Sequence, residues 1–176
     1  MTIDPVDLQI DARSGERIFL ASGKPEFSWR LNARQSAYRI LVEDDQGAAL
    51  WDSGVVQGTS CRWIPWGGAE LASRMAGTAR VQVFDQSGNS SGFSAPVHFE
   101  TGLLENRDWG NARWIWYDRN NYSTTAPSPY FRKTFYVRPG LRKARLYITA
   151  RGCFNAYIDG VKISPDYLAP GWTDFQ

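Results

Sequence analysis

Carboxylates are the chain's most numerous candidates for chemistry. Asp108, Asp118, Asp159, Asp166 and Asp174 all fall in or near loops of its second half. Glycoside hydrolysis needs two carboxyl groups held several ångströms apart across a sugar, one of them a proton donor. No spacing marks a pair among these five, and loop aspartates ordinarily serve turns. No catalytic residue is therefore assigned. The run Asp-Arg-Asn-Asn places Asp118, Asn120 and Asn121 close together. Such oxygen ligands suit calcium, although the remainder of an EF-hand loop is missing. His98 stands alone, and Cys61 and Cys153 are far apart. One histidine with two distant cysteines does not make an ordinary zinc site. The chain has no nucleophile elbow and no dinucleotide fingerprint, and "GVVQGTS" lacks the lysine of a phosphate-binding loop.

The elements that must position these groups read as strands. "FSWRL" sets Phe27, Trp29 and Leu31 on one face and Ser28 and Arg30 on the other. "AYRILVEDD" sets Tyr38, Ile40 and Val42 against Arg39, Leu41 and Glu43, and "ARVQVFD" sets Ala79, Val81 and Val83 against Arg80, Gln82 and Phe84. A period of two predicts half-buried antiparallel strands. "VDLQI", "LWDS", "SCRWIP" and "PVHFET" add shorter candidates, with "DDQG", "DSG" and "DQSGNSSG" as turns. Strands at this spacing predict an immunoglobulin or fibronectin type III sandwich over 1–102. "AELASRM" is the one stretch with a helical look. Residues 101–112 lose the alternation, and a second all-β unit over 103–176 follows. It is drawn from "RWIWY", "YFRKTFYV", "ARLYITARG" and a hairpin turning at Asp159-Gly160.

Composition excludes several classes. The net charge is +2, and no Lys/Arg run exceeds two residues. A nucleic-acid or anionic-membrane surface is not expected. The start, "MTIDPVDLQI", has neither a basic n-region nor an apolar core. No secretory signal is read there, and with two unpaired cysteines a cytoplasmic location is expected. Eight tryptophans exceed what turns or surface require; most should fill sandwich cores, and the rest can line a sugar or partner site.

Several stretches resemble one family. "PEFSWRL", "QSAYRILVEDD", "LWDSGVV" and "VQVFDQSGNSSGFSAPVHFETGLL" occur in the order seen at the N-terminus of bacterial α-L-rhamnosidases. "DWGNARWI", "PYFRKTFYV", "ARLYITARGCFNAYIDGVKI" and "LAPGWTDF" resemble the domain that follows in those enzymes. The resemblance implies an all-β chain of two consecutive β-sandwiches. The first is fibronectin type III-like and the second is a lectin-like, jelly-roll sandwich that ends before completion. It also implies a parent enzyme that removes terminal α-L-rhamnose with inversion, on an (α/α)₆ barrel this chain does not contain. This region would then be a non-catalytic accessory. The alternatives are a rhamnose-binding module and an immunoglobulin-like interaction module. By motif position Asp166 matches a polar sugar-loop residue, with Tyr167 standing where an amide would serve. Trp172 and Asp174 complete the carbohydrate candidates, and calcium is the one cofactor left open. Implied partners are the remaining domains of the parent, rhamnose-containing glycans and a second copy joined at an unpaired strand edge.

Overall fold

The computed structural model describes residues 3–116 and 128–170. They divide into two compact units, Met1–Trp114 and Ile115–Gln176.

The first unit is a β-sandwich of nine strands: β1 (Pro5–Ile10), β2 (Arg17–Leu20), β3 (Glu26–Leu31), β4 (Ala37–Asp44), β5 (Ala49–Asp52), β6 (Val56–Gln57), β7 (Ile64–Pro65), β8 (Ala76–Phe84) and β9 (Val97–Thr101). One sheet has the order β1-β3-β7. The other runs β2-β9-β8-β4-β5, with β6 also paired to β4. The central ladder pairs β4 with β8 from Ala37 opposite Phe84 to Asp44 opposite Gly77. Tyr38, Ile40 and Val42 thus share a face with Val83, Val81 and Ala79, as the alternation predicts. They meet Leu8, Ile10, Phe27, Trp29 and Ile64 of the smaller sheet in one buried cluster. A face committed to burial fixes register, because a slip of one residue would turn the whole set outward.

Three local features depart from the sequence expectation. β2 is only four residues long, and it pairs in parallel with β9 from Arg17 opposite His98 to Leu20 opposite Thr101. Its short "RIFL" pattern buries Ile18 and Leu20 alone. "SCRWIP" yields just the two residues of β7. "AELASRM" is not helical but a bend and turn. Leu71 is buried there and its N–H donates to the Gly23 carbonyl (2.9 Å). The Thr101 hydroxyl donates to the Ala72 carbonyl (2.6 Å). Tertiary contacts outweigh a weak propensity in seven residues, because about two helical turns offer too few internal hydrogen bonds to compete.

The second unit contains the expected hairpin. β10 (Tyr157–Ile158) pairs with β11 (Val161–Lys162). Asp159 (φ 49°) and Gly160 (φ 80°) supply the two positive φ angles a type I′ turn demands. "YFRKTFYV" and "ARLYITARG" have no ladder partner among the described residues. Their large side chains, Tyr130, Phe131, Phe135, Tyr136 and Leu146, are exposed. A period-two pattern reports which face a residue takes; it does not supply the neighbouring strand that a ladder requires.

Candidate functional site

Two surfaces bring chemistry-bearing side chains together, one in each unit. In the second unit, the residues after β11 fold back on themselves. The Ser164 hydroxyl donates to the Asp166 carboxylate (2.5 Å), and the Asp166 N–H donates to the same Oγ (3.1 Å). Lys162 Nζ donates to the Asp166 carbonyl (2.8 Å) and lies 4.6 Å from the centre of the Tyr167 ring. Tyr167 is 87% exposed. Of the carbohydrate candidates, then, Asp166 and Tyr167 are neighbours on one accessible loop. Trp172 and Asp174 lie outside the described residues, as do the calcium candidates Asp118, Asn120 and Asn121. Among the described residues no group of three His, Cys, Asp or Glu side chains is arranged to hold a metal ion.

The other carboxylates have structural work. Asp159 forms the hairpin turn. Asp108 closes a 3-10 turn, Asn106–Trp109. Its carboxylate takes a hydrogen bond from the Ser73 hydroxyl and one from the Glu105 N–H (3.0 Å). The Ser73 bond is the main reason its pKa is lowered. His98 is exposed on β9, facing the positions of Arg17 and Thr78 on neighbouring strands. Asp52 forms a two-pronged pair with Arg39 (2.9 Å to Nε, 2.5 Å to Nη2). That guanidinium, helped by the Gly54 N–H, holds the Asp52 pKa down at about 2.

The second surface belongs to the first unit and was not singled out by its sequence. It is a concavity of about 590 Å³ beside β3. Its lining includes Gln9, Ser28, Arg30, Cys61, Arg62 and Trp63. The route from sequence to shape is short. The Trp29 N–H donates to the Cys61 carbonyl (2.9 Å), and the Trp63 N–H donates to Ser28 Oγ (3.0 Å). Trp63 has φ 54°, a conformation rare for a bulky side chain. Alternation breaks there: Arg62 and Trp63 both stay exposed, while Ile64 and Trp66 enter the core. Trp63 is 59% exposed, an unusual position for an indole. In the sequence the only trace is Arg62 followed directly by Trp63 within "SCRWIP", and a strand template reads past them. Next to it, Asp7 receives Arg30 (3.3 Å) and the Gln9 amide (3.1 Å). Arg62 has no hydrogen bond or ion pair among the described residues.

Comparison with known proteins gives a consistent picture. A family model described as Rha78A-like, N-terminal immunoglobulin domain matches residues 5–105. A second, described as α-L-rhamnosidase N-terminal domain, matches residues 140–176. The α-L-rhamnosidase of Alteromonas sp. (strain LOR) is 35% identical over 170 residues, which is 86% of this chain and 18% of that protein. An α-L-rhamnosidase of Formosa agariphila is 34% identical over 170 residues, 87% of this chain and 18% of that protein. Among solved structures, the α-L-rhamnosidase from Dictyoglumus thermophilum superimposes with a TM-score of 0.59 at 28% identity, covering 65% of this chain and 14% of that one. Streptomyces avermitilis α-L-rhamnosidase, complexed with L-rhamnose, gives 0.57 at 28% identity, covering 62% and 11%. The chain thus spans about a fifth of the length of the curated relatives it matches.

Proposed function

The chain belongs to the family of Rha78A-like N-terminal immunoglobulin domains, and from that membership we propose that it serves as the non-catalytic N-terminal region of a longer α-L-rhamnosidase. The observation that carries the reading is where the similarity falls. Both family models describe N-terminal domains, and the Alteromonas and Formosa relatives named above are each matched over 18% of their length. The whole protein would remove terminal α-L-rhamnose with inversion, its general acid and general base lying outside these 176 residues. In this reading the first sandwich is taken as 1–102 and the second domain as 103–176.

Hydrolysis of an aryl α-L-rhamnoside tests this directly. The purified chain should release no nitrophenol above blank, whereas the longer protein should. Release that scales with the purified chain overturns the assignment.

A second reading is favoured by the exposed Asp166–Tyr167 loop. In it, the second domain holds a rhamnose-containing glycan, with calcium as an accessory ion. Isothermal titration with L-rhamnose, with and without calcium, separates the two: heat that saturates and disappears in Asp166→Asn supports binding there. We also propose a cytoplasmic location, on the two free cysteines, Cys61 and Cys153. No helix among the described residues is long and apolar enough to cross a membrane. Self-association through the apolar side chains of the second unit completes the proposed set of partners.

A further inference from the structure

We propose that the concavity around Trp63 in the first sandwich is a second ligand site, and that it takes an acidic oligosaccharide, one bearing a carboxylate or sulfate. The inference goes beyond the accessory role above and does not depend on the Asp166 loop.

Size comes first. About 590 Å³ lies within the range of small-molecule sites and accommodates one or two sugar rings. The core of this sheet is completed by Ile64 and Trp66, both buried. Trp63 adds little to it, and a left-handed backbone keeps its indole at the surface. Such a conformation costs stability and calls for an explanation outside the core. An exposed indole offers a flat apolar face with a polar edge, the shape that packs against the C–H face of a pyranose.

Ser28, Gln9, Arg30 and Arg62 all line the same space. Arg30 is held and its charge offset by Asp7, 3.3 Å away. Arg62 has no ion pair among the described residues, so the lining carries an excess of positive charge. A guanidinium fork matches a carboxylate or sulfate with two parallel hydrogen bonds. A neutral sugar would leave that charge unanswered. Ser28, Trp29 and Arg30 belong to β3, and the segment 61–63 is tied to it by two backbone-donated hydrogen bonds. A ligand therefore meets a surface that needs little ordering on binding. No acidic side chain lines the concavity, so it binds without hydrolysing.

Trigalacturonate, with neutral maltotriose as control, tests the site on the ¹⁵N-labelled full chain. Saturable shifts are expected at one tryptophan indole N–H and at the amides of Arg62 and Trp63. Trp63→Ala should abolish them. Arg62→Gln should weaken binding about tenfold or more at low salt and remove most of its salt dependence. Trp63→Ala should melt with the native chain, because its side chain lies outside the core; if it fails to fold, Trp63→Phe and Arg62→Gln carry the test. Absence of saturable shifts, equal affinity for maltotriose, or binding that survives both substitutions overturns the proposal. So does a longer protein in which these residues no longer respond to trigalacturonate, which would make the surface a contact between domains. None of these failures touches the accessory role, which rests on relatedness.

Discussion

Trp29 and Gln35 are the residues on which the first core turns. The Trp29 indole N–H donates to Gln35 Oε1 (3.1 Å), and the Gln35 amide donates to the carbonyl of Ser60 (2.6 Å). Gln35 is 2% exposed. A buried polar group is tolerated when satisfied and costly when its partners are orphaned. Trp29→Ala should cost roughly 3–5 kcal/mol by loss of a buried aromatic. Gln35→Leu keeps the volume but takes the acceptor from the indole N–H and the donor from the Gly58 and Ser60 carbonyls, at roughly 1–3 kcal/mol for each group left unsatisfied. Chemical denaturation checks both; an unchanged midpoint for either would contradict the packing. Asp52 gives a pH signature. Its pKa falls from 3.8 to about 2 on folding, through the hydrogen bonds from Arg39 and then the Gly54 N–H. A depressed carboxylate stabilises fully above its unfolded value and loses that contribution as pH falls through the folded one. The loss should therefore fall between about pH 4 and pH 2. Both side chains are about a third exposed, so screening limits the effect to about 0.5–1 kcal/mol. Asp52→Asn should flatten that part of the stability curve.

The segment leaving β9 is clasped to the first sandwich by a small set of hydrogen bonds. The Leu104 N–H donates to Ser73 Oγ (2.7 Å), the Ser73 hydroxyl donates to Asp108, and the Arg74 guanidinium donates to the Asp108 carbonyl. The Asp108 carboxylate also accepts the Glu105 N–H, so the 3-10 turn and the 72–75 loop share one acceptor. A polar network of this kind acts as a unit. Ser73→Ala removes its centre and should speed amide exchange at Leu104 and Glu105 while leaving exchange in β4 and β8 unchanged. Acid should do the same, because protonating Asp108 removes the favoured acceptor, and its lowered pKa places that loosening below the usual carboxylate range. Equal protection in the variant and the native chain would show that the clasp contributes nothing.

The two units bury apolar surface to different degrees, and whole-molecule behaviour should follow. The first has one continuous cluster drawn from both sheets. A fragment of residues 1–116 should fold and melt cooperatively by itself. The second exposes Phe131, Phe135, Tyr136, Leu146 and Ile148. Exposed apolar side chains in this number recruit partners. Light scattering over a concentration series should show association of the full chain and little in the fragment. A full chain that stays monomeric at every concentration would remove self-association from its partners.

What the sequence determined was whatever period two can encode. Phe27, Trp29, Tyr38, Ile40, Val42, Val81 and Val83 read as one inward set and are buried as one cluster. Asp159-Gly160 reads as a hairpin and turns as one, because both positive φ angles are local properties of those residues. The motifs shared with α-L-rhamnosidases were also legible, since order along the chain needs no fold to be seen. Tertiary structure alone decided the rest. β2 pairs in parallel with a strand eighty residues away, and nothing in "RIFL" names that partner. "AELASRM" gives up its helix because Leu71 and Thr101 find distant carbonyls. Gln35, a polar letter between strands, becomes the keystone of Trp29 once the chain at Gly58 and Ser60 passes over it. Trp63 stays outside because its backbone turns left-handed against Ser28. Alternation tells each residue which side of its own strand to take; which other strand, carbonyl or ring it will meet there is set by packing between segments far apart in the chain.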